Sequence, residues 1–289
     1  ESLKAGETAT ITFRFSEAPI NFDENDVVVS GGELSTPIAS ESDPKIYTAT
    51  FTPTTNSEDS VSISVNAGSY VDVAGNAGTG ATLTTLSIDT QAPSLAITSN
   101  FESLKAGETA TITFRFSEAP INFDENDVVV SGGELSTPIA SESDPKIYTA
   151  TFTPTAGSES TASISVGAGT YVDAAGNAGT AATLTTLSID TQAPSLAITS
   201  NFESLKAGET ATITFRFSEA PINFDENDVA VSGGELSTPI ASESDSKVYT
   251  ATFTPTAGSE TIASISVGAG SYVDAAGNAG TAATLTTLS

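Results

Sequence analysis

The clearest signal along the chain is alternation. From Thr109 to Phe116, the apolar residues Ile112, Phe114 and Phe116 alternate with Thr111, Thr113 and Arg115, which is the two-residue period of a strand with one buried face. Lys146–Thr153 repeats the pattern with Tyr148, Ala150 and Phe152 on one side, and Pro154 closes the run. Between these two lie Asp127–Ser131, a valine-rich strand ended by Gly132-Gly133, and a weaker candidate near Thr137–Ser141. Ser94–Thr98 precedes them after a proline, and Ala162–Val166 and Thr183–Ile189 follow. Gly167-Ala168-Gly169 predicts a bulge ahead of Tyr171-Val172. Nothing has a helical period. The one exception in length is a single turn at Asp124-Glu125-Asn126-Asp127, with Phe123 just before it positioned to plug one end of a core.

This pattern occurs three times. Glu1-Ser2-Leu3-Lys4-Ala5-Gly6 recurs at Glu102 and Glu203, a period of 101 residues with no gap. Solenoid units are far shorter, roughly 20–50 residues, whereas one immunoglobulin-type sandwich takes about 100. The expected fold class is therefore all-β: a tandem array of three immunoglobulin-like β-sandwich domains of about seven strands each. The boundaries fall at residues 1–88, 89–189 and 190–289. By this phasing the first domain lacks the linker and strand A that the others carry, and the chain reads as a piece of something longer. The copies are nearly identical, as recent duplication makes them, so recurrence of a residue says nothing about its role. Val28 and Val129 become Ala230 between two unchanged valines. Alternation turns that middle position to the face opposite its neighbours, a less packed site.

Composition narrows the partners. The chain has 36 acidic and 9 basic residues, a formal charge of -27, and no Cys, His, Met or Trp. Phosphate backbones and anionic lipid surfaces need clustered Lys or Arg, so neither nucleic acid nor a membrane is expected as a partner. An acidic chain without soft ligands attracts hard cations, calcium before magnesium. Without His or Cys there is no nucleophile–histidine pair, the Gly-Gly of each unit is not a phosphate loop, and an EF-hand spacing is absent. The chain is not expected to be an enzyme.

The acidic residues converge at predicted junctions. In an immunoglobulin-type sandwich, strand A enters at the end that carries the B–C and F–G loops. A linker that precedes strand A thus lies beside both. At the first junction this gathers Asp89 from Ile88-Asp89-Thr90-Gln91-Ala92-Pro93, Glu118 from the end of strand B, and Asp173 leaving strand F. At the second it gathers Asp190, Glu219 and Asp274. Asn177 and Asn278 can complete an oxygen shell, and Glu17 and Asp72 are the first-domain counterparts. Carboxylates about 4 Å apart repel by roughly 1 kcal/mol in water and about 4 kcal/mol at an effective dielectric of 20, a cost that a shared calcium ion removes. Each of these residues also has a plainer reading, as a turn former or a solvated loop charge. Asp124 and Asp127 read better as turn caps, and Glu142, Asp144 and Glu159 as solvated surface charges.

The same residues carry a resemblance. Leu104-Lys105-Ala106-Gly107-Glu108-Thr109, Phe116-Ser117-Glu118, Thr151-Phe152-Thr153-Pro154, Asp173-Ala174-Ala175-Gly176-Asn177 and Asp190-Thr191-Gln192-Ala193-Pro194 together resemble the bacterial Ig-like repeats that fill the extender regions of giant secreted adhesins of the biofilm-associated and RTX types. The resemblance implies a sandwich fold, calcium at domain junctions, a bacterial cell-surface location outside the cell, and a role in projecting a distal binding domain in adhesion and biofilm formation. The glycine- and aspartate-rich nonapeptide repeats of such proteins are absent from this stretch. Expected partners are calcium ions and the neighbouring domains of a monomeric chain. One alternative is that the repeats themselves bind, to a glycan or to each other, and another is that they are accessory domains of a secreted enzyme.

Overall fold

The computed structural model describes residues 2–289; Glu1, where the first repeat opens, lies outside the described residues. The chain is all-β, and among the described residues the only helical pieces are one 3-10 turn per domain. The middle domain illustrates the plan. Its strands are β1 (Leu95–Ser99), β2 (Ser103–Leu104), β3 (Ala110–Phe116), β4 (Val128–Ser131), β5 (Gly133–Leu135), β6 (Ile139–Ala140), β7 (Ile147–Pro154), β8 (Glu159–Val166) and β9 (Ala182–Asp190).

Two sheets face each other. One runs β1-β3-β7-β5, with β6 also on β7; the other runs β2-β9-β8-β4. The first strand is split between them: β1 pairs antiparallel with β3, then the chain crosses over and β2 pairs parallel with β9. This crossover ties the two sheets together at one edge and fixes where the chain enters the domain.

Alternation is what fills the core. Ile112, Phe114 and Phe116 of β3 and Phe152 of β7 face Ile164 of β8 and Leu187 of β9, and all are buried. Burying side chains of this size contributes roughly 1.5–3 kcal/mol each. Phe123 plugs the end, edge-on to Phe116 with centroids 4.9 Å apart. The adjoining turn is a capping box: the Asp124 carboxylate accepts from Asn126 N–H, and the Asp127 carboxylate accepts from Asp124 N–H. Both acids serve the turn, as their spacing suggests. Val129 is 68% exposed, which accounts for the tolerance of alanine at that position of the third domain.

Three details differ from the sequence reading. The short strands β2 and β5 were not expected, since neither two nor three residues show a period. Strand β8 starts at Glu159, not Ala162, and its irregularity lies between Ala162 and Ile164. Gly167–Gly169 is no bulge in a ladder; Gly169 N–H donates to Gly179 O and Gly179 N–H to Tyr171 O, which closes a loop. Local glycine content shows that the backbone bends but not which partner it meets.

In the first domain the second sheet is divided, with Val27–Ser30, Ser62–Val65 and Ala81–Leu83 in one part and the parallel pair Ser2–Leu3 with Ser87–Ile88 in the other. Its first sheet consists of Ala9–Arg14, Ile46–Pro53 and Gly32–Leu34, with Ile38–Ala39 on Ile46–Pro53. No described strand lies on the outer edge of Ala9–Arg14, where β1 lies in the middle domain.

Candidate metal centres at the domain junctions

Each junction is assembled from three directions. The linker is fastened to the domain behind it. Asp89 N–H donates to Leu3 O (2.9 Å), Thr90 N–H donates to Ser57 O (2.9 Å), and Ser57 N–H donates to the hydroxyl oxygen of Thr90 (3.0 Å). Thr90 is buried, and its hydroxyl donates to Thr54 O at 2.7 Å. The linker is therefore an extension of the preceding sandwich.

The domain ahead grips this extension through one side chain. Asn177 Nδ2 donates to Asp89 O (2.9 Å) and to Asp173 Oδ2 (2.7 Å), while Asn177 Oδ1 accepts from Ala5 N–H (2.8 Å). One amide thus joins the following domain, the linker and a turn of the preceding domain. Asn177 is 3% exposed, and both its donor hydrogens and its acceptor are engaged. Asp173 supports it from below, since Oδ1 accepts from Gly176 N–H (2.6 Å) and Asn177 N–H (2.8 Å). Gly176 sits at φ +90, and a Cβ there would lie 3.2 Å from Lys4 Nζ, so the lysine of the preceding domain packs over this loop. The second junction repeats the design with Ala106, Asp190, Asp274 and Asn278.

Beside this bracket lies the acidic cluster. Carboxylate oxygens of Glu58, Asp89 and Glu118 all fall within 4.8 Å of one another, as do those of Glu159, Asp190 and Glu219. Each triplet draws one acid from the preceding domain, one from the linker and one from the following domain. The structure brings Asp89 with Glu118, and Asp190 with Glu219, as their spacing predicts. Asp173 and Asp274 are beside them but committed to their own loops, and Asn177 and Asn278 spend their side-chain oxygens on backbone amides. Asp89 also accepts from Gln91 N–H (3.3 Å), the turn-forming bond open to any linker aspartate.

Glu58 and Glu159 escaped the sequence reading, which placed Glu159 among solvated surface charges. The signal lay at the other end of the sandwich. The loop between the strands before and after Glu58 sits opposite the B–C and F–G loops, so it faces the next linker.

Electrostatics bear out the crowding. Burial holds the Glu118 carboxyl above its ordinary value, and the negative charges of Asp173, Asp89 and Glu58 push it further; Lys146 opposes them. Glu219 is raised in the same way, by burial first and then by Asp274, Asp190 and Glu159. Lys146 Nζ donates to Ser117 O at 3.0 Å and does not pair with the triplet. Among the described residues the one ion pair is Arg216–Asp245 at 3.9 Å, outside both junctions.

Glu17 and Asp72 belong to no such group among the described residues. The local Asp72 turn is intact, with Asn76 N–H donating to Oδ1 (2.8 Å) and Asn76 Nδ2 to Oδ2 (2.7 Å). No helix of the described residues is long and apolar enough to cross a membrane.

The sequence profile described as the bacterial Ig-like domain matches residues 1–88, 89–189 and 190–288. No curated protein sequence matches the chain. Among solved structures, FdeC, an Escherichia coli adhesin, is 15% identical; the likeness covers 99% of this chain and 93% of that one, with a TM-score of 0.40. The full ectodomain of mouse nectin-like molecule 4 is 11% identical, with 99% and 95% covered and a TM-score of 0.35. The I9–I11 tandem of titin is 10% identical, with 99% and 93% covered and a TM-score of 0.31. At these scores the likenesses carry no inference about this chain.

Proposed function

Since the chain belongs to the bacterial Ig-like domain family, we propose that it is a spacer of a cell-surface adhesin, stiffened by calcium at its junctions, that holds a distal binding domain away from the cell. The observation that carries this is the carboxylate triplet at each junction, supplied by two domains and the linker between them. Small inter-domain contacts leave neighbours free to hinge by default. A spacer works only if that freedom is removed.

The residues fit a hard divalent cation. Three carboxylates offer up to six oxygens and no nitrogen or sulfur, the donor set calcium takes; magnesium demands stricter octahedral geometry and releases water reluctantly. Glu58, Asp89 and Glu118 would hold the ion at the first junction, and Glu159, Asp190 and Glu219 at the second. When bound, calcium supplies neutralisation of the mutual repulsion and a link between the two domains. The protein's own part is to hold the acids together: Thr90 and Ser57 fix the linker, and Asn177 sets the orientation of the domain ahead. The resemblance supports an extracellular setting in adhesion and biofilm formation, of the RTX or biofilm-associated kind.

Thermal unfolding with calcium and with a chelator tests this reading. Saturation at about 100 times the dissociation constant adds roughly 2.7 kcal/mol per site, or about 10–20 °C in Tm for domains of this size. The double variant Glu118→Gln with Glu219→Gln should lose most of that gain. Equal melting of the native chain in both buffers would count against calcium at these sites.

A further inference from the structure

The middle sandwich is sealed on one side and open on the other. On the sealed side the chain crosses between the sheets from β1 to β2. On the other side β4 ends one sheet and β5 ends the other, and the chain passes between them at Gly132. A groove of about 360 Å³ lies at these two free edges, lined by Val128, Val130, Leu135 and Pro138 together with Glu125 and Glu134. The valine and leucine side chains are half-buried, and the two glutamates are exposed. The first domain has the same groove, of about 330 Å³, with Val27, Val29, Leu34, Glu24 and Glu33 on it. In the third domain Val229, Val231 and Leu236 are half-buried, and Glu226 and Glu235 are exposed, at the matching positions.

We infer that this groove is a docking site for an extended segment of a basic partner protein, in which aliphatic residues alternate with Lys or Arg. The backbone sets the mode. Ser136 N–H donates to Thr151 O and Thr155 N–H to Gly132 O, in a register that places Glu134 opposite Thr153. Antiparallel alternation then turns the amide and carbonyl of Glu134 towards β7, and those of Gly133 and Leu135 away from it to the open edge. A segment laid along that edge gains main-chain bonds there, the recognition mode of strand addition. Its residue beside Leu135 points into the groove, over Val128 and Val130. Its next residues point to the opposite face, where Glu134 stands.

Charge selects the occupant. Among the described residues no Lys or Arg lines either groove, and the chain carries a formal charge of -27. A Lys or Arg across from Glu134 makes an opposite-charge cross-strand pair. A second copy of this edge would set Glu134 against Glu134, a like-charge pair that weakens a sheet. The edge acid thus guards against self-pairing and attracts a basic segment. Repetition along the chain adds avidity for a partner that carries several such segments. The groove residues are distinct from the junction triplets, so docking here does not depend on calcium.

The probe is the end-blocked peptide Lys-Val-Lys-Val-Lys-Val-Lys, added to the whole chain at physiological salt. Hydrogen exchange should slow at least about tenfold at Gly133 and Leu135, and at Gly32, Leu34, Gly234 and Leu236, with Glu134 and Ser136 nearly unchanged. The equally charged peptide Lys-Ser-Lys-Ser-Lys-Ser-Lys should bind at least about tenfold more weakly. Two chain variants of equal net charge separate the groove from general attraction to an acidic protein. Glu24→Gln, Glu33→Gln, Glu125→Gln, Glu134→Gln, Glu226→Gln and Glu235→Gln together should weaken binding at least about tenfold. Glu17→Gln, Glu41→Gln, Glu118→Gln, Glu142→Gln, Glu219→Gln and Glu243→Gln together should leave it close to native. No protection at millimolar peptide, equal binding of the serine peptide, or equal losses in the two variants would overturn the proposal. Protection without peptide that rises with protein concentration would overturn it in favour of a second copy covering the edge.

Discussion

Two regions of this molecule share a loop sequence and differ in what surrounds it. In the first domain Asp72 and Asn76 close a turn that is open to solvent. The Asn76 side-chain amide, then its backbone N–H, hold the Asp72 carboxyl below its ordinary value. In the second domain Asp173 and Asn177 close the same turn, yet both are buried, and Asn177 reaches two further segments. The turn is encoded locally and forms in either setting. The junction is encoded by adjacency: it forms where a preceding sandwich brings its linker, its Lys4–Ala5 turn and its Glu58 loop. An acidic residue at the loop becomes a candidate ligand through its neighbour, not through its motif.

The sharpest way to break this comparison is to remove the same asparagine in both settings. Asn177→Ala takes away a buried side chain that serves Ala5, Asp89 and Asp173 at once. Leaving those groups without partners should cost about 1–3 kcal/mol and loosen the first junction. Asn76→Ala removes an exposed amide and should cost well under about 1 kcal/mol. Chemical denaturation of the two variants, with scattering to follow the hinge, checks the difference. Equal losses would mean that the bracket is only a loop turn.

A smaller effect separates the charges. A carboxyl raised in the folded chain binds its proton more tightly there than in the unfolded chain. The stability this gives is complete below the ordinary value of 4.5 and is lost as pH rises through the raised value. In chelator, the part of the stability held by Glu118 and Glu219 should therefore decline as pH rises from about 4.5 towards neutral. Glu118→Gln with Glu219→Gln should remove that part of the slope. Calcium should reverse it in the native chain, because the ion favours the ionised carboxylates of the folded state, so that stability then rises with pH.

Much of this was legible in the residues. Alternation at Thr109–Phe116 and Lys146–Thr153, together with the 101-residue period, defines sandwich strands and repeating domains, because a two-residue period has one physical meaning. Asp89 and Glu118 could be brought together from the ends of a sandwich alone. What escaped needed contacts across a junction. Glu58 and Glu159 lie far from the linker in sequence and carry no local signature. The role of Asn177 as a bracket rests on where Ala5 lies, some 170 positions earlier in the chain. Strands as short as Ser103–Leu104 are set by the partner strand and not by any pattern of their own.

The central claim, that cation-filled triplets turn hinged domains into a stiff spacer, is tested most directly by small-angle X-ray scattering of the whole chain in calcium and in chelator. Domains of roughly 35–40 Å laid end to end, from strands of about ten residues at about 3.3 Å each plus a linker, give a maximum dimension of about 110 Å. The account expects that value in calcium and a shorter, broader distribution in chelator. Superimposable profiles in the two buffers would contradict it.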